Sequence, residues 1–200
     1  MCFENNQKKT KNKTKQKMGG IISSVMNWFS GSREVRILIL GLDSAGKTTI
    51  LYRLSLNEYV EEVAPTVAFN IEKVTFGKLV MHVWDLGGQY QLRPFWRLYY
   101  KSTDGLVFVI DSNDSERLNL CRDELNSLLN EEELKNVPLL ILANKQDLPG
   151  ALTAEDISNK LELSAIKDRT WTIIPTSALK GDGIKAGFDW LAETIENKTG

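Results

Sequence analysis

Short apolar runs recur along the chain, each closed by a glycine-rich or polar turn and most followed by sequence with helical periodicity. Residues 35–40, 106–110 and 137–143 are nearly continuous apolar runs of strand length, the pattern of strands covered on both faces, and residues 171–175 form a shorter last strand. Residues 68–76 and 79–85 alternate instead and join across Gly77-Lys78 as a tight antiparallel hairpin. Helices fall between these runs at residues 48–54, 115–134, 153–161 and 184–196. The leucines of the second make a core stripe and its Glu131 to Glu133 a solvated face, while the third opens on Thr153 with Asp156 three residues later, an N-cap pair. Strands alternating with helices predict an α/β fold with a mostly parallel six-stranded sheet, one antiparallel strand and helices on both faces. In such sheets ligands bind beyond the carboxyl ends of the strands.

Two segments precede this alternation. Residues 1–17 carry six lysines against the single Glu4 and almost no apolar surface, so they predict a disordered lysine-rich extension. In residues 18–31, Ile21, Ile22, Val25, Met26 and Phe29 recur at helical spacing with Trp28 widening the stripe, which predicts a short amphipathic helix. Residues 32–200 remain as one globular domain, since 42% hydrophobic content over 200 residues supports one sizeable core.

Charge and cysteine usage narrow the classes. The formal net charge of −1 conceals a basic extension and an acidic remainder, so the globular part does not read as nucleic-acid binding. Cys2 and Cys121 have no C-x-x-C or metal-ligand spacing, and His82 sits alone in mid-strand with no second ligand, so neither a disulfide framework nor a zinc site is indicated. No apolar run reaches the length of a membrane span, and any membrane contact is expected to be peripheral. Met18-Gly19 with Ser23 matches M-G-x-x-x-[ST], which makes Gly19 a candidate myristoylation site if translation starts at Met18.

The chemistry concentrates at strand ends. Gly41, Gly46, Lys47 and Thr48 match G-x-x-x-x-G-K-[ST] between a strand and a helix: backbone N–H groups wrap phosphates, Lys47 reaches the β- and γ-phosphates, and Thr48 offers an oxygen to Mg²⁺. About forty residues on, Asp85-Leu86-Gly87-Gly88 places a carboxylate that can bind Mg²⁺ through water and a glycine N–H that can approach a γ-phosphate. Asn144-Lys145-x-Asp147 adds base selection, because a carboxylate at Asp147 accepts both the N1 and N2 hydrogens of guanine, which adenine does not offer together. Ser177-Ala178 follows the last strand, where a backbone N–H can meet the guanine O6.

These residues resemble the Ras-like small GTPases, and within them the Arf and Arf-like branch. The branch features are the Met18-Gly19 start with its amphipathic helix, Gly41-Leu42-Asp43, Pro65-Thr66, Trp84-Asp85-Leu86-Gly87-Gly88-Gln89, Arg93-Pro94 and Trp96-Arg97, over residues 18 to about 198. The resemblance implies a P-loop NTPase fold and a switch that takes GTP or GDP with Mg²⁺ and hydrolyses GTP slowly without an activating protein. It assigns Gln89 to the attacking water, Thr48, Thr66 and Asp85 to the metal, and Gly41, Asp43, Ser44, Ala45, Gly46, Lys47, Thr48, Thr49, Thr66 and Gly88 to the phosphates. Asn144, Lys145, Asp147, Ser177 and Ala178 take the base. Exchange factors, activating proteins and effectors, golgin-type coiled coils among them, are the implied partners of a monomer on the cytosolic face of the Golgi, in vesicle trafficking. The hairpin is expected to slide in register on GTP binding, a two-residue slip that preserves its inward and outward faces.

Three departures bear on this. Val67-Ala68 stand where the family has Ile-Gly, Ser44 where it has Gly or Ala, and residues 1–17 have no family counterpart and would block acylation of Gly19 if retained. Two other readings remain: a scaffold that binds GTP without hydrolysing it, against which Gln89 speaks, and a P-loop kinase or ATPase, against which the guanine-selecting motif speaks.

Overall fold

A computed structural model describes residues 32–56 and 64–198. The extension at 1–17, the amphipathic helix at 18–31 with Gly19, and most of the polar connection expected at 55–65 lie outside the described residues. Six strands, β1 (Arg33–Leu40), β2 (Phe69–Phe76), β3 (Leu79–Leu86), β4 (Gly105–Asp111), β5 (Leu139–Asn144) and β6 (Trp171–Pro175), form one sheet in the order β2-β3-β1-β4-β5-β6. All neighbours are parallel except β2 and β3, which form the expected hairpin with Phe76 opposite Leu79. The described helices are α1 (Lys47–Leu56), α2 (Leu118–Leu129), α3 (Ala154–Lys160) and α4 (Ile184–Asn197).

The period-two alternation of the central strands sends side chains to two cores. Leu38 and Leu40 of β1, Leu106, Phe108 and Ile110 of β4, and Leu139 and Ile141 of β5 pack with Leu118, Leu125 and Leu128 of α2 and Ile157 of α3. Ile37 and Ile39, Val107 and Val109, and Leu140 and Leu142 face the other way, onto Ile50 and Leu51 of α1 and Ile184, Phe188 and Leu191 of α4. Burying both faces is why these strands read as unbroken apolar runs, and it fixes the strand ends as a rigid edge for the site.

One helix is shorter than expected. Residues 112–117 form turns, with Asp111 Oδ1 accepting from the Asn113 N–H at 3.0 Å and Asp114 Oδ1 from the Arg117 N–H at 3.2 Å, so α2 begins only at Leu118. Glu131 is extended, and a separate 3-10 turn (Glu132–Leu134) buries Leu134. The N-cap at Thr153 is present as a reciprocal capping box with Asp156. Residues left unassigned by the hydrophobic pattern form a second 3-10 helix (Arg93–Tyr99) with Pro94 in its first turn.

Candidate functional site

β1 ends at Leu40, and the turn through Gly41 and Gly46 delivers the chain into α1. Gly46 has φ +93°, and a Cβ there would collide with the Asn144 side-chain nitrogen, so only glycine fits. Ser44 itself takes a left-handed φ of 63°, a conformation in which its hydroxyl is accommodated at some backbone strain. The first turn of α1 holds no acidic residue, leaving its N–H groups and positive dipole end open to an anion. Lys47 is buried and donates from Nζ to the Leu42 carbonyl at 2.8 Å. Burial pushes its pKa down to about 8, opposed by the nearby charges of Asp85 and Asp43.

Beside the lysine, three oxygens converge. Thr48 Oγ1 lies 2.9 Å from Thr66 Oγ1 and 2.6 Å from Asp85 Oδ2, and Thr66 Oγ1 is 3.3 Å from the same carboxylate oxygen. Asn70 Nδ2, a residue not singled out from sequence, donates to Asp85 Oδ2 at 3.3 Å. Asp85 is fully buried and its Oδ1 has no hydrogen-bond partner. Burial raises its carboxyl pKa, against the opposing pull of the Thr48 hydrogen bond and the Lys47 charge. Two hydroxyls and a carboxylate with an unsatisfied buried oxygen suit a small hard cation, and the donor set fits Mg²⁺ held directly or through water.

At the other end, Asn144 is the junction. Its Nδ2 donates to the Ala45 carbonyl at 2.8 Å, and its Oδ1 accepts from the Ala178 N–H at 2.9 Å and from Thr176 Oγ1 at 3.4 Å. The Ala178 N–H, expected to face the guanine O6, is engaged by Asn144 in this geometry, and Ala178 joins the site through that amide. Ser177 Oγ donates to Asp147 Oδ1 at 2.5 Å and accepts from the Lys180 N–H at 3.1 Å, fixing the carboxylate. Lys145, with φ 68°, reaches back to Asp111 at 2.6 Å. Arg53 of α1 donates to the Ala178 and Leu179 carbonyls, tying the last loop to the phosphate-loop helix.

A cavity of about 410 Å³ gathers Asp43, Ser44, Gly46, Lys47, Thr48, Thr49, Thr66, Gln89 and Lys145. The Ala45 side chain is buried in the core while its carbonyl accepts from Asn144, Gly88 is buried behind Lys47, and Asp147 with Ser177 and Ala178 continues along the same sheet edge. Ala68 is exposed and its φ is not positive, so its backbone does not require the glycine usual in the family. Four further charged residues surround the phosphate loop. Arg117 pairs with Asp43 at 3.1 Å and with Asp114, and Arg93 is buried and pairs with Glu124 at 2.9 Å. Each contributes one side chain from a distant element, so no local pattern announces it.

Residues 21–195 match the model of the ADP-ribosylation factor family. The chain is 50% identical over 182 residues to ADP-ribosylation factor-like protein 1 of Saccharomyces cerevisiae, covering 90% of this chain and 99% of the yeast protein. Its fold is similar to the solved structure of the Arl6 BBS3 small GTPase from Trypanosoma brucei with bound nucleotide analogue GppNp. That match has a TM-score of 0.76 and 33% identity, and covers 82% of this chain and 99% of the other.

Proposed function

The chain belongs to the ADP-ribosylation factor family, a GTP-binding switch that takes GTP or GDP with Mg²⁺ and hydrolyses GTP, and from that premise we propose how its own residues do so. The observation that carries the reading is the convergence of Thr66, from a segment outside helices and strands, on Thr48 and Asp85, which are fixed in α1 and β3. A hydroxyl brought by a loop to two anchored oxygens can join or leave that set as the loop moves, which suits a segment that responds to the γ-phosphate.

Lys47 and the N–H groups of residues 44–48 hold the β- and γ-phosphates, and Gly88 presents its N–H to the γ-phosphate. Thr48, Thr66 and Asp85 hold Mg²⁺, which when bound neutralises charge on the phosphate oxygens. Gln89, half-buried at the cavity wall, orients the attacking water. Asp147, steadied by Ser177, accepts the two guanine hydrogens, while Asn144 locks the phosphate and base loops together. Arg93 and Arg117 are engaged by Glu124, Asp43 and Asp114, so transition-state charge has no free arginine in cis among these. Intrinsic hydrolysis is then slow, on the order of 10⁻⁴ s⁻¹, and an activating protein's arginine raises it.

The same proposal places the protein peripherally on the cytosolic face of the Golgi, acylated at Gly19, recruiting effectors in vesicle trafficking under exchange factors. The M-G-x-x-x-S pattern and the apolar stripe of residues 18–31 support membrane attachment, and 50% identity to the yeast Arf-like protein supports the subgroup. Competition of GTP and ATP for the purified chain, followed by single-turnover hydrolysis, tests the enzymatic reading: equal affinity for the two nucleotides sinks it. Intact mass of the protein from its native cell tests acylation, and an unmodified chain retaining residues 1–17 sinks that part.

A further inference from the structure

Two buried side chains of the 3-10 helix (Arg93–Tyr99) reach back to consecutive carbonyls of the segment that precedes it. Trp96 Nε1 donates to the Gly87 carbonyl at 2.9 Å, and Arg93 Nε donates to the Gly88 carbonyl at 2.9 Å. The Gly88 carbonyl also accepts from the Asp43 N–H at 3.2 Å, so it is clamped between the phosphate loop and the arginine. The remaining arms of Arg93 go to Glu124 of α2 at 2.9 Å and towards Asp43 at 3.6 Å. Only 6% of the Arg93 side chain is exposed and only 2% of Trp96, so neither group has water as an alternative partner.

The peptides here are trans, and in a planar trans peptide the N–H points opposite the C=O. Drawing the Gly87 carbonyl to Trp96 therefore turns the Gly88 N–H the other way. Drawing the Gly88 carbonyl to Arg93 does the same for the Gln89 N–H. Gly88 lies against Gly41, Leu42 and Lys47, with no room for a Cβ between them, so its backbone is already pressed to the phosphate loop. Two glycines in succession have many conformations to lose, and a pair of buried donors removes that freedom beforehand.

We propose that Arg93 and Trp96 are positioning residues that aim the Gly88 N–H and the Gln89 peptide for a nucleotide carrying a γ-phosphate, with Glu124 anchoring Arg93. The proposal rests on the GTPase reading above and adds to it the residues that make the site discriminate GTP from GDP. Neither residue touches the nucleotide; both act through the backbone between Gly87 and Gln89. A nucleotide lacking the γ-phosphate has no use for the Gly88 N–H, so the two side chains bear on GTP binding and hydrolysis and not on GDP.

The test uses the full chain and four variants, Trp96→Phe, Glu124→Gln, Arg93→Ala and Arg93→Lys, with affinities measured for GDP and for a non-hydrolysable GTP analogue. Trp96→Phe keeps an aromatic ring but removes the donor together with part of the buried indole volume, so the ratio of analogue to GDP affinity is the quantity read. Trp96→Phe and Arg93→Ala are expected to lose about tenfold in analogue affinity, and Glu124→Gln a smaller factor in the same direction, with GDP affinity unchanged. Single-turnover hydrolysis slows in parallel. Arg93→Lys retains the charge beside Glu124 but lacks the fork that reaches Gly88 and Glu124 together, so it stays impaired. If GDP and analogue affinities fall in equal proportion, or if Arg93→Lys restores the wild-type ratio, the residues serve packing or charge alone and the proposal is overturned. A wild-type chain that binds neither nucleotide overturns the GTPase reading as well, whereas wild-type discrimination with flat variants overturns only this inference.

Discussion

Asn144 on β5 donates its side-chain N–H to the carbonyl of Ala45, 99 residues earlier in the phosphate loop, at 2.8 Å. Since the same amide accepts from the Ala178 N–H, one side chain that is 1% exposed holds three loops at the carboxyl edge of the sheet. Removing it leaves a buried acceptor at Ala45 and a buried donor at Ala178 without partners, each worth about 1–3 kcal/mol. Asn144→Ala is expected to lower the melting temperature and speed nucleotide release by about tenfold or more. Asn144→Asp keeps an acceptor for Ala178 but sets a carboxylate oxygen against the Ala45 carbonyl, and its release rate should be at least as fast. A fluorescent-nucleotide dissociation assay reads both, and wild-type rates in either variant would separate Asn144 from nucleotide retention.

Base selection can be inverted at Asp147. Its Oδ1 accepts from Ser177 Oγ at 2.5 Å, a bond that an Asn carbonyl oxygen can keep, so Asp147→Asn preserves the local fold. What changes is the face offered to the base: an amide N–H replaces an acceptor, which suits the 2-oxo group of xanthine and leaves the guanine 2-amino group without a partner. GTP affinity should fall by about a hundredfold and xanthosine triphosphate should bind in its place. Displacement titrations with the two triphosphates check it, and undiminished GTP affinity would remove Asp147 from base recognition.

The apolar runs made the sheet legible because β1, β4 and β5 are covered on both faces: Ile37 and Ile39 serve one core, Leu38 and Leu40 the other, and no polar face interrupts the strand. The span 115–134 misled because leucines in α2 and the isolated Leu134 share helical spacing, while the Asp111 and Asp114 turns that delay the helix are ordinary polar residues in sequence. The site divides in the same way. Gly41 to Thr48 and Asn144 to Asp147 act through consecutive backbone, so their spacing carries the chemistry. Asn70, Arg93, Arg117 and Glu124 act as single side chains across separations of 15 to 74 residues, and only the folded sheet edge assembles them.

Gln89 lines the cavity beside Thr48 and Thr66, and its side chain is the water-orienting group of the proposed mechanism. Gln89→Leu retains the neighbouring clamp of Arg93 and Trp96 on Gly88 and Gly87, so nucleotide affinity should hold while hydrolysis drops by about a hundredfold or more. Single-turnover assays with tight-bound GTP separate the two quantities. Equal rates for wild type and variant would assign the water to another group and favour a GTP-binding scaffold.

Loss of stability at alkaline pH has an identifiable source in Cys121, which is 5% exposed on the buried face of α2. Burial pushes its thiol pKa from 9.0 up to about 12, with Arg117 and Arg93 pulling it down and Asp114 and Asp111 pushing it up. In the unfolded chain the thiol ionises at its ordinary value, so above about pH 9 the folded state holds the proton more firmly than the unfolded state does. A raised folded pKa contributes stability that is fully present below pH 9 and is lost as the pH rises towards 12. Tyr100, whose hydroxyl is pushed above its ordinary value by burial and by Glu131, Glu124 and Glu133, adds loss of the same sign beginning near its unperturbed range. Urea melts at pH 8, 9, 10 and 11 should therefore show stability falling over that range. The fall should be shallower in Cys121→Ala, which starts lower because of its cavity but has no thiol to titrate. In a Cys2→Ser background the native chain should resist a thiol-alkylating reagent at pH 8 and react once unfolded, since the thiolate is the nucleophile and burial suppresses it. Parallel pH slopes for wild type and Cys121→Ala, with rapid native alkylation, would show that the thiol reaches solvent and that this core opens well below global unfolding.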